Sequence, residues 1–452
     1  MISSGRLLAR MVLDRVEQNE SYVNLALHDI LASNPQVEQR ERAFCTELVY
    51  GTLRNLLQID FILGRLLSRP LQSLKVPVKD TLRLALYQLL FLPEIPERAV
   101  CHAAVDQIKN SRYSGLAGLV NAVLRNFLRN RKQIPFPDRD SQPVEFLSVT
   151  YSHPAWLAER WLKRYGFELA ERLMAIDNEK PPLTVRINRL CTSLAAIRHE
   201  LAEAGVMFTQ GNLLDEALIL QSLPMPLEEL PAFRNGKLFV QDESSMLVAH
   251  LLQPAPGATV VDLCAAPGGK STHLAELMNN CGTIYSIDDH PHKVGLIAEN
   301  AARLGLKIIE PRLADARSFQ PPSDVPVDAI LVDAPCSGTG VLRRRVDARY
   351  RRQAEDSAEL VRIQREILDH AAQLLKSGGR IVYSTCTLEP EENQEQIRWF
   401  CQAHPEFRPV PWREYLPAQL GDHLEDSSTP WANVLPASGG GDGFFLCRLH
   451  KS

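Results

Sequence analysis

Several familiar features are missing from this sequence of 452 residues, and each absence narrows the class of protein. None of its nine cysteines falls in a C-x-x-C pair, which argues against a zinc site or a disulfide framework. The most apolar stretch, residues 82–92, is too short and too interrupted to cross a bilayer. The first residues show no signal-peptide pattern, so we expect a globular protein of the reducing cytoplasm.

The chain also lacks a large excess of either charge, with 50 Lys and Arg against 54 Asp and Glu. The balance is uneven along its length. Residues 1–150 hold 19 basic and 15 acidic residues, whereas residues 151–452 hold 31 and 39. A mildly basic N-terminal third is weak evidence for a nucleic-acid partner, because a shift of this size is typical of an ordinary solvated surface.

The length predicts two or three domains. Residues 1–132 show apolar residues at helical spacing and no alternating strands, which predicts an all-helical bundle. Residues 132–144 contain three prolines among charged residues and suit a linker. Residues 148–235 combine a strand at 183–187 with helices, which predicts a small α+β subdomain. Residues 236–452 alternate short strands with helices, which predicts a multidomain protein ending in a largely parallel, Rossmann-like α/β domain.

A glycine-containing turn follows the first strand of that α/β domain, in the run Cys264-Ala265-Ala266-Pro267-Gly268-Gly269-Lys270. Gly268 and Gly269 permit close approach of a ligand to the backbone. Asp288 lies 20 residues beyond Gly268, the spacing at which an acid binds ribose hydroxyls in a nucleotide site. The turn lacks G-x-G-x-x-G and the phosphate-loop spacing, so a pyrophosphate ligand is disfavoured. A tight turn without any ligand is the alternative.

Acidic residues accumulate near the predicted strand ends. Besides Asp288, they include Asp262, Asp315 and Asp333. Ligands of open α/β sheets bind at the carboxyl ends of the strands, so these side chains are expected to line one pocket. An acid-rich pocket favours a nucleoside with a positive centre. S-adenosylmethionine is such a ligand.

Two cysteines follow later strands of the same domain, Cys336 in Asp333-Ala334-Pro335-Cys336 and Cys386 in Thr385-Cys386. A structural cysteine usually lies inside an element as a small hydrophobe, whereas these two come at the edge where ligands bind. The reactive form is the thiolate, and Lys270 or a helix N-terminus could lower the thiol pKa. Methyl transfer to carbon 5 of a pyrimidine needs such a thiolate, which must first add at carbon 6.

Six arginines occur within residues 343–352, directly after the first thiol motif. Guanidinium groups bind phosphates well, and such a segment beside an active site favours RNA binding. A charge run is also typical of a solvated helix start. The candidate RNA-binding residues are Arg343, Arg344, Arg345 and Arg349.

The motifs together resemble those of the RNA cytosine-C5 methyltransferases of the Sun (Fmu) family. The matching stretches are residues 262–270, 333–340, 383–388 and 390–393. The N-terminal region resembles, less specifically, the RNA-binding NusB fold, and the fusion is similar to bacterial small-subunit rRNA methyltransferases. The resemblance implies a NusB-like bundle, an α+β subdomain that contacts RNA, and an S-adenosylmethionine-dependent methyltransferase domain.

The resemblance also implies roles for single residues. Cys386 would attack carbon 6 of cytosine, Cys336 would assist release of the enzyme, and Asp333 would stabilise the adduct at the N3/N4 edge of the base. Lys270 would complete the catalytic group. The residues expected to line the S-adenosylmethionine pocket are Cys264, Ala265, Ala266, Pro267, Gly268, Gly269, Lys270, Asp288, Asp315 and Asp333.

Two residues depart from the family pattern: Thr387 replaces the commoner serine, and Val346 stands where the arginine-rich segment usually has proline. Three other functions stay open at this point. They are a non-catalytic RNA-binding factor, a nicotinamide dehydrogenase, which the turn spacing disfavours, and the same chemistry on tRNA or large-subunit rRNA. We expect rRNA as partner, a monomer, and neither a metal nor a membrane.

Overall fold

The computed structural model divides the chain into two compact units. The helical unit holds the chain up to Glu179 together with Arg345–Arg351, and the α/β unit holds Lys180–Arg344 and Arg352–Ser452. No helix among the described residues is long and apolar enough to cross a membrane. The structure describes residues 4–19, 21–322 and 325–452.

The helical unit contains amphipathic helices whose apolar stripes meet in one core. Residues such as Leu48, Leu63, Leu82 and Leu124 are fully buried there, as helical spacing of the apolar positions predicts. The helices of this unit, in chain order, are α1 (Ser4–Asn19), α2 (Val23–Ala32), α3 (Gln39–Arg54), α4 (Leu56–Leu66), α5 (Val76–Phe91), α6 (Glu97–Lys109), α7 (Ala117–Asn130), α8 (Pro143–Tyr151) and α9 (Ala155–Asp177).

The last two of these helices, α8 and α9, belong to the helical unit. Gly166 interrupts α9 with a positive φ of 72°. The start of the α+β subdomain at residue 148 stays a prediction.

The chain after α9 adds two sheets and further helices, of which α15 belongs to the helical unit. The helices are α10 (Leu194–Glu203), α11 (Pro231–Arg234), α12 (Glu243–Leu252), α13 (Gly269–Leu277), α14 (Pro291–Arg303), α15 (Ala348–Arg351), α16 (Asp356–Leu374) and α17 (Gln394–Ala403). The strands are β1 (Leu183–Ile187), β2 (Met207–Gln210), β3 (Ala217–Ser222), β4 (Leu238–Val240), β5 (Thr259–Asp262), β6 (Thr283–Asp288), β7 (Ile309–Leu313), β8 (Val327–Asp333), β9 (Leu375–Thr385), β10 (Phe407–Val410), β11 (Ala432–Val434) and β12 (Phe444–Lys451).

The smaller sheet is antiparallel and has the strand order β2-β3-β1-β4. Its inward side chains form a separate core with α10, in which Val185, Ile197 and Leu218 are fully buried. This cluster gives the predicted α+β subdomain a core of its own, with β1 and α10 close to where the sequence places them.

The larger sheet has the order β10-β12-β9-β8-β5-β6-β7 among the described residues, and β11 pairs with β12. The neighbouring strands β9, β8, β5, β6 and β7 are parallel to one another. The C-terminal strand, β12, runs antiparallel to β9. Apolar cores cover both faces. The predicted doubly wound, Rossmann-like domain is therefore confirmed, with an antiparallel edge.

Strand register brings the predicted site residues to one edge of that sheet. Asp262 pairs with Leu331 across β5 and β8, and Asp333 pairs with Ser384 across β8 and β9. Since the carboxyl ends of parallel strands lie along the same edge, the turns that follow β5, β6, β8 and β9 are neighbours.

Candidate active site

The turn between β5 and α13 is shaped by its glycines. Gly268 adopts a left-handed φ of 99° and caps α13, whose first residue is Gly269. A Cβ on Gly269 would lie 3.2 Å from the ring of Phe239, so this position also has little room for a side chain. The N-terminus of α13 presents backbone N–H groups beside this turn, which suits a polar ligand.

Asp262 ends β5 beneath the turn and is completely buried. Its Oδ2 accepts a hydrogen bond from Ser271 Oγ at 2.6 Å, and Ser271 Oγ lies 2.9 Å from Ser286 Oγ. Burial raises the pKa of Asp262 to about 7. This carboxyl therefore braces β5 against α13 from inside and is not a surface ligand.

Asp288 and Asp315 follow β6 and β7 but differ in their surroundings. The Asp288 side chain is 9% exposed, and its Oδ1 accepts the backbone N–H of His290 at 3.1 Å. Asp315 is far more exposed, and Arg317 binds both of its carboxylate oxygens. This ion pair lowers the pKa of Asp315. A ligand that uses Asp315 would have to share it with Arg317.

Asp333, at the end of β8, holds two hydrogen bonds from neighbouring elements. Lys270 Nζ lies 2.6 Å from Asp333 Oδ2, and Ser384 Oγ donates to Asp333 Oδ1 at 2.8 Å. The Lys270 ammonium also lies 5.1 Å from the ring centroid of Phe444. The sequence motifs did not single out Phe444 as part of this site, although its place at the start of the C-terminal strand is visible.

The two predicted thiols meet. The Sγ atoms of Cys336 and Cys386 are 3.3 Å apart, three residues past β8 and one residue past β9. Both cysteines are half-buried. The hydrogen bond with Cys386 and burial raise the pKa of the Cys336 thiol well above its ordinary value. Cys336 is therefore held as a thiol beside its partner.

Lys270, one of the two sources of positive charge that the sequence suggested for a thiolate, is paired with an acid. Lys270 was expected to supply positive charge to a cysteine, but its ammonium is bound to the Asp333 carboxylate. The structure instead shows Lys270 orienting the acid. Cys264, in the cofactor turn, has a pKa raised well above its usual value by burial and then by Asp262.

The four arginines predicted to bind RNA differ in burial and do not form one exposed surface. Arg343 is 1% exposed and donates to the carbonyl oxygens of Ala437 and Gly440 at 3.0 and 2.6 Å, besides its ion pair with Asp442. Arg344 is half-buried and pairs with the same Asp442. Neither guanidinium is free to act as a simple phosphate-binding group.

Arg349 is also buried, within the helical unit. It is 1% exposed, and its guanidinium donates to the carbonyl oxygens of Ser152 and Asp177 and to Asn178 Oδ1. The neighbouring Val346 lies in the helical core. The guanidinium groups of Arg343 and Arg349 are thus bound by protein acceptors, whereas Arg345 is exposed, and RNA binding by these arginines stays a prediction.

A buried polar network surrounds the two thiols, and sequence reasoning did not assign it a role. It consists of Ser337, Thr339, Thr387, Glu389, Glu392 and Asn393, all less than 10% exposed. The sequence signal for this network was the run Pro390-Glu391-Glu392-Asn393, in which two acids follow β9 and no basic residue lies close by in sequence.

Among the described residues, two groups have the make-up of a metal site: Glu216, His250 and His273, which is mostly buried, and Asp288, Asp289 and His290, which is mostly exposed. The side chains of the first group contact one another. His250 Nε2 bonds to Glu216 Oε1, and His273 Nε2 lies 3.5 Å from the same oxygen. These imidazoles hold the pKa of Glu216 far below its usual range against the effect of burial.

The fold and the site together define a class. A parallel sheet with a nucleoside-type turn, acids at its carboxyl edge and two adjacent thiols fits the class of α/β methyltransferases. Family models match along the chain. They are "16S rRNA methyltransferase RsmB/F" over residues 249–450, the NusB family over 3–129, and the "Methyltr_RsmF/B-like, ferredoxin-like domain" over 153–226.

Whole-chain relatives agree. A Bacillus subtilis protein named "Probable ribosomal RNA small subunit methyltransferase B" is 42% identical over 99% of both chains. A Synechocystis protein of the same name is 36% identical over 99% of this chain and 100% of its own. A solved structure, "Crystal Structure of PH0851", is 28% identical with a TM-score of 0.81, covering 99% of both chains.

The chain belongs to the RsmB/F family of 16S rRNA methyltransferases. The resemblance predicted from the motifs is confirmed, as are the NusB-type helical region and the rRNA methyltransferase class. The dehydrogenase alternative is excluded by this membership.

Proposed function

We propose that this chain transfers a methyl group from S-adenosylmethionine to carbon 5 of a cytidine in small-subunit rRNA, through a bond between Cys386 and carbon 6. The observation that carries the proposal is the 3.3 Å separation of Cys336 Sγ and Cys386 Sγ beside the Lys270–Asp333 ion pair. The relatives' names, which specify the small ribosomal subunit, support that target over tRNA or large-subunit rRNA.

The chemistry explains why a thiol is needed. Carbon 5 of cytosine is a weak nucleophile, and addition of the Cys386 thiolate at carbon 6 makes carbon 5 enamine-like. When bound, S-adenosylmethionine supplies an electrophilic methyl group. Carbon 5 then carries both the methyl group and its proton. Loss of that proton and cleavage of the bond between sulfur and carbon 6 restore the aromatic ring and free Cys386.

The remaining site residues have distinct tasks in this scheme. Asp333 is fixed by Lys270 and Ser384, so its carboxylate is ready to accept N4–H of the base and to hold a proton at N3, which neutralises the negative charge that thiolate addition puts on the ring. Cys336 lies beside the nucleophile, and it would serve the release of Cys386 after methylation. The base must leave its stack to reach both thiols.

The cofactor would bind at the turn before α13. The residues fit S-adenosylmethionine, because the turn offers backbone N–H groups to its polar or anionic atoms and Asp288 is held as an acceptor at the neighbouring strand end. Residues proposed to line this pocket are Cys264, Ala265, Ala266, Pro267, Gly268, Gly269, Lys270, Asp288, Asp315 and Asp333.

We place the reaction in the cytoplasm, where reducing conditions keep the thiols free. The exposed Arg345 and the α+β subdomain are the proposed RNA contacts outside the catalytic site. Arg344 would contribute only if its ion pair with Asp442 were shared with a phosphate.

The test is methyl transfer from labelled S-adenosylmethionine to unmodified 16S rRNA, tRNA and 23S rRNA. The intact protein should label cytosine carbon 5 in 16S rRNA. Cys386→Ala should give no label, while the matched control Cys401→Ala, a half-buried cysteine on α17, should label normally. Labelling of another RNA class would overturn the target. Tight cofactor binding without label on any RNA would favour a non-catalytic RNA-binding factor.

A further inference from the structure

Two consecutive residues that follow β9, Glu392 and Asn393, are completely buried. They touch neither the cofactor turn nor the Lys270–Asp333 pair, and the scheme above gives them no task. Their hydrogen bonds nevertheless lead to the loops that carry both thiols.

Glu392 is connected to the Cys336 loop on both sides of the thiol. Its Oε2 accepts the backbone N–H of Ser337 at 2.9 Å and the side-chain N–H of Gln364 at 2.9 Å. Gln364 Nε2 also donates to the carbonyl oxygen of Pro335 at 2.9 Å. Pro335 and Ser337 are the residues that flank Cys336, so one buried carboxylate and its glutamine partner fix the backbone around that thiol.

Asn393 does the same for the Cys386 loop. Its Oδ1 accepts a hydrogen bond from Thr385 Oγ1 at 2.5 Å, and its Nδ2 donates to the carbonyl oxygen of Thr387 at 2.9 Å. Thr385 and Thr387 are the residues on either side of Cys386. A single amide, with one acceptor and one donor, therefore spans the nucleophile.

The two loops are also joined to each other. Ser337 Oγ lies 2.7 Å from Thr387 Oγ1, and Thr339 Oγ1 lies 2.9 Å from the same hydroxyl. Glu392 Oε1 accepts a longer bond from Thr387 Oγ1 at 3.4 Å. Such a buried and mutually bonded set holds one arrangement, because breaking any member leaves polar groups without partners.

We propose that Glu392 and Asn393 are positioning residues that set the separation of the two thiols, each by holding the residues that flank one cysteine. Because Glu392 and Asn393 are consecutive, the same short stretch of backbone holds both thiol loops. The catalytic consequence rests on the function proposed above: a displacement of about 1 Å between reacting groups costs on the order of 10²-fold in rate.

The test measures thiol separation directly, without RNA or cofactor. Diamide removes the two thiol hydrogens and forms a disulfide, and peptide mass mapping follows the Cys336–Cys386 product in the full chain. The intact protein should form it readily. Glu392→Gln and Asn393→Asp, which are nearly isosteric but exchange an acceptor for a donor or the reverse, should slow it about tenfold or more. Glu395→Gln, an exposed neighbour on α17, should react like the intact protein.

Kinetic measurements distinguish the positioning role of Glu392 and Asn393 from a purely structural role. Both variants should lose kcat for methyl transfer by about 10²-fold, while the Kd for S-adenosylmethionine and the KM for RNA stay within about twofold. A general loss of folding would lower cofactor affinity as well. If Asn393→Asp does not fold, Thr385→Val removes one of the same hydrogen bonds and should slow disulfide formation in the same direction.

The two proposals fail separately. Unchanged disulfide rates in Glu392→Gln and Asn393→Asp overturn the positioning role, whatever methyl transfer shows. Slowed disulfide formation in those variants, combined with no methyl transfer to any RNA by the intact protein, overturns the proposed function and supports the positioning role.

Discussion

Lys270 Nζ lies 2.6 Å from Asp333 Oδ2, which joins the first turn of α13 to the end of β8. The turn before α13 and the acid at the end of β8 are thereby connected. The pairing also places the positive charge of Lys270 against the Asp333 carboxylate. We therefore propose that Lys270 acts on the chemistry through the orientation of Asp333, which is the first feature open to test.

Asp333→Asn should lower kcat by about 10²–10³-fold, because the neutral amide no longer stabilises charge at the edge of the base and no longer pairs with Lys270. Ser384→Ala removes one neutral hydrogen bond to Asp333 and should cost less than about tenfold. Single-turnover methyl transfer on 16S rRNA measures both. Equal losses in the two variants would show that Asp333 serves only the local hydrogen-bond network.

Cys336→Ala should leave a covalent RNA–protein adduct, because Cys386 can still attack while its release is impaired. The adduct is measured as a complex that survives denaturing electrophoresis. The double variant Cys336→Ala/Cys386→Ala is the matched control and should give none. Normal turnover by Cys336→Ala, without accumulation of adduct, would contradict the role given to Cys336.

The α/β unit shows why part of this site could be predicted from sequence. Parallel strands end at one edge, so a turn after β5, an acid after β6 and thiols after β8 and β9 must be neighbours once the strand pattern is known. The meeting of Cys336 and Cys386 follows from that rule. It needs no knowledge of side-chain conformations.

Other features depend on long-range pairing that no local pattern encodes. Arg343 binds Asp442 and Arg349 binds Asn178, which lie 99 and 171 residues away in sequence. Two arginines of the apparent charge run are therefore buried and paired within the protein. Likewise, the sequence did not show that the Lys270 ammonium pairs with a carboxylate, because its partner Asp333 lies on another strand. A charge pattern in the sequence shows which charged residues are present, whereas the fold decides which of them form ion pairs and hydrogen bonds.

The helical unit should lose stability as pH rises. Burial raises the pKa of Asp80, on α5, to about 7, above the value near 3.9 expected in an unfolded chain. The folded state then binds this proton more tightly between about pH 4 and pH 7, so its free energy of unfolding falls as pH rises through that window. The loss between pH 5 and pH 8 is on the order of 2 kcal/mol.

Asp80→Asn should remove this dependence, because the amide does not titrate. Native-state hydrogen exchange in α5, compared between the variant and the intact chain at each pH, measures the change and cancels intrinsic exchange rates. Asp29→Asn is the control, since that side chain is half-exposed on α2. The same difference between variant and intact chain at pH 5 and pH 8 would contradict the prediction.

Arg349 and Arg345 offer a matched pair of arginines with opposite expected effects. Arg349 is 1% exposed, and its guanidinium donates to Ser152, Asp177 and Asn178. Arg349→Met should destabilise the helical unit by about 2–4 kcal/mol, because these buried acceptors lose a charged donor. Thermal unfolding and hydrogen exchange at the end of α9 measure that loss.

Arg345→Ala should change stability by less than about 0.5 kcal/mol, because this side chain is exposed. It should instead weaken RNA binding and reduce the slope of log affinity against log salt by about 1, as expected when one phosphate contact is removed. The two variants should therefore differ in what they change: Arg349→Met should lower stability, and Arg345→Ala should lower the salt dependence of RNA binding. An unchanged salt slope for Arg345→Ala would remove this segment from the RNA-binding surface altogether, since its other predicted members are already engaged by the protein.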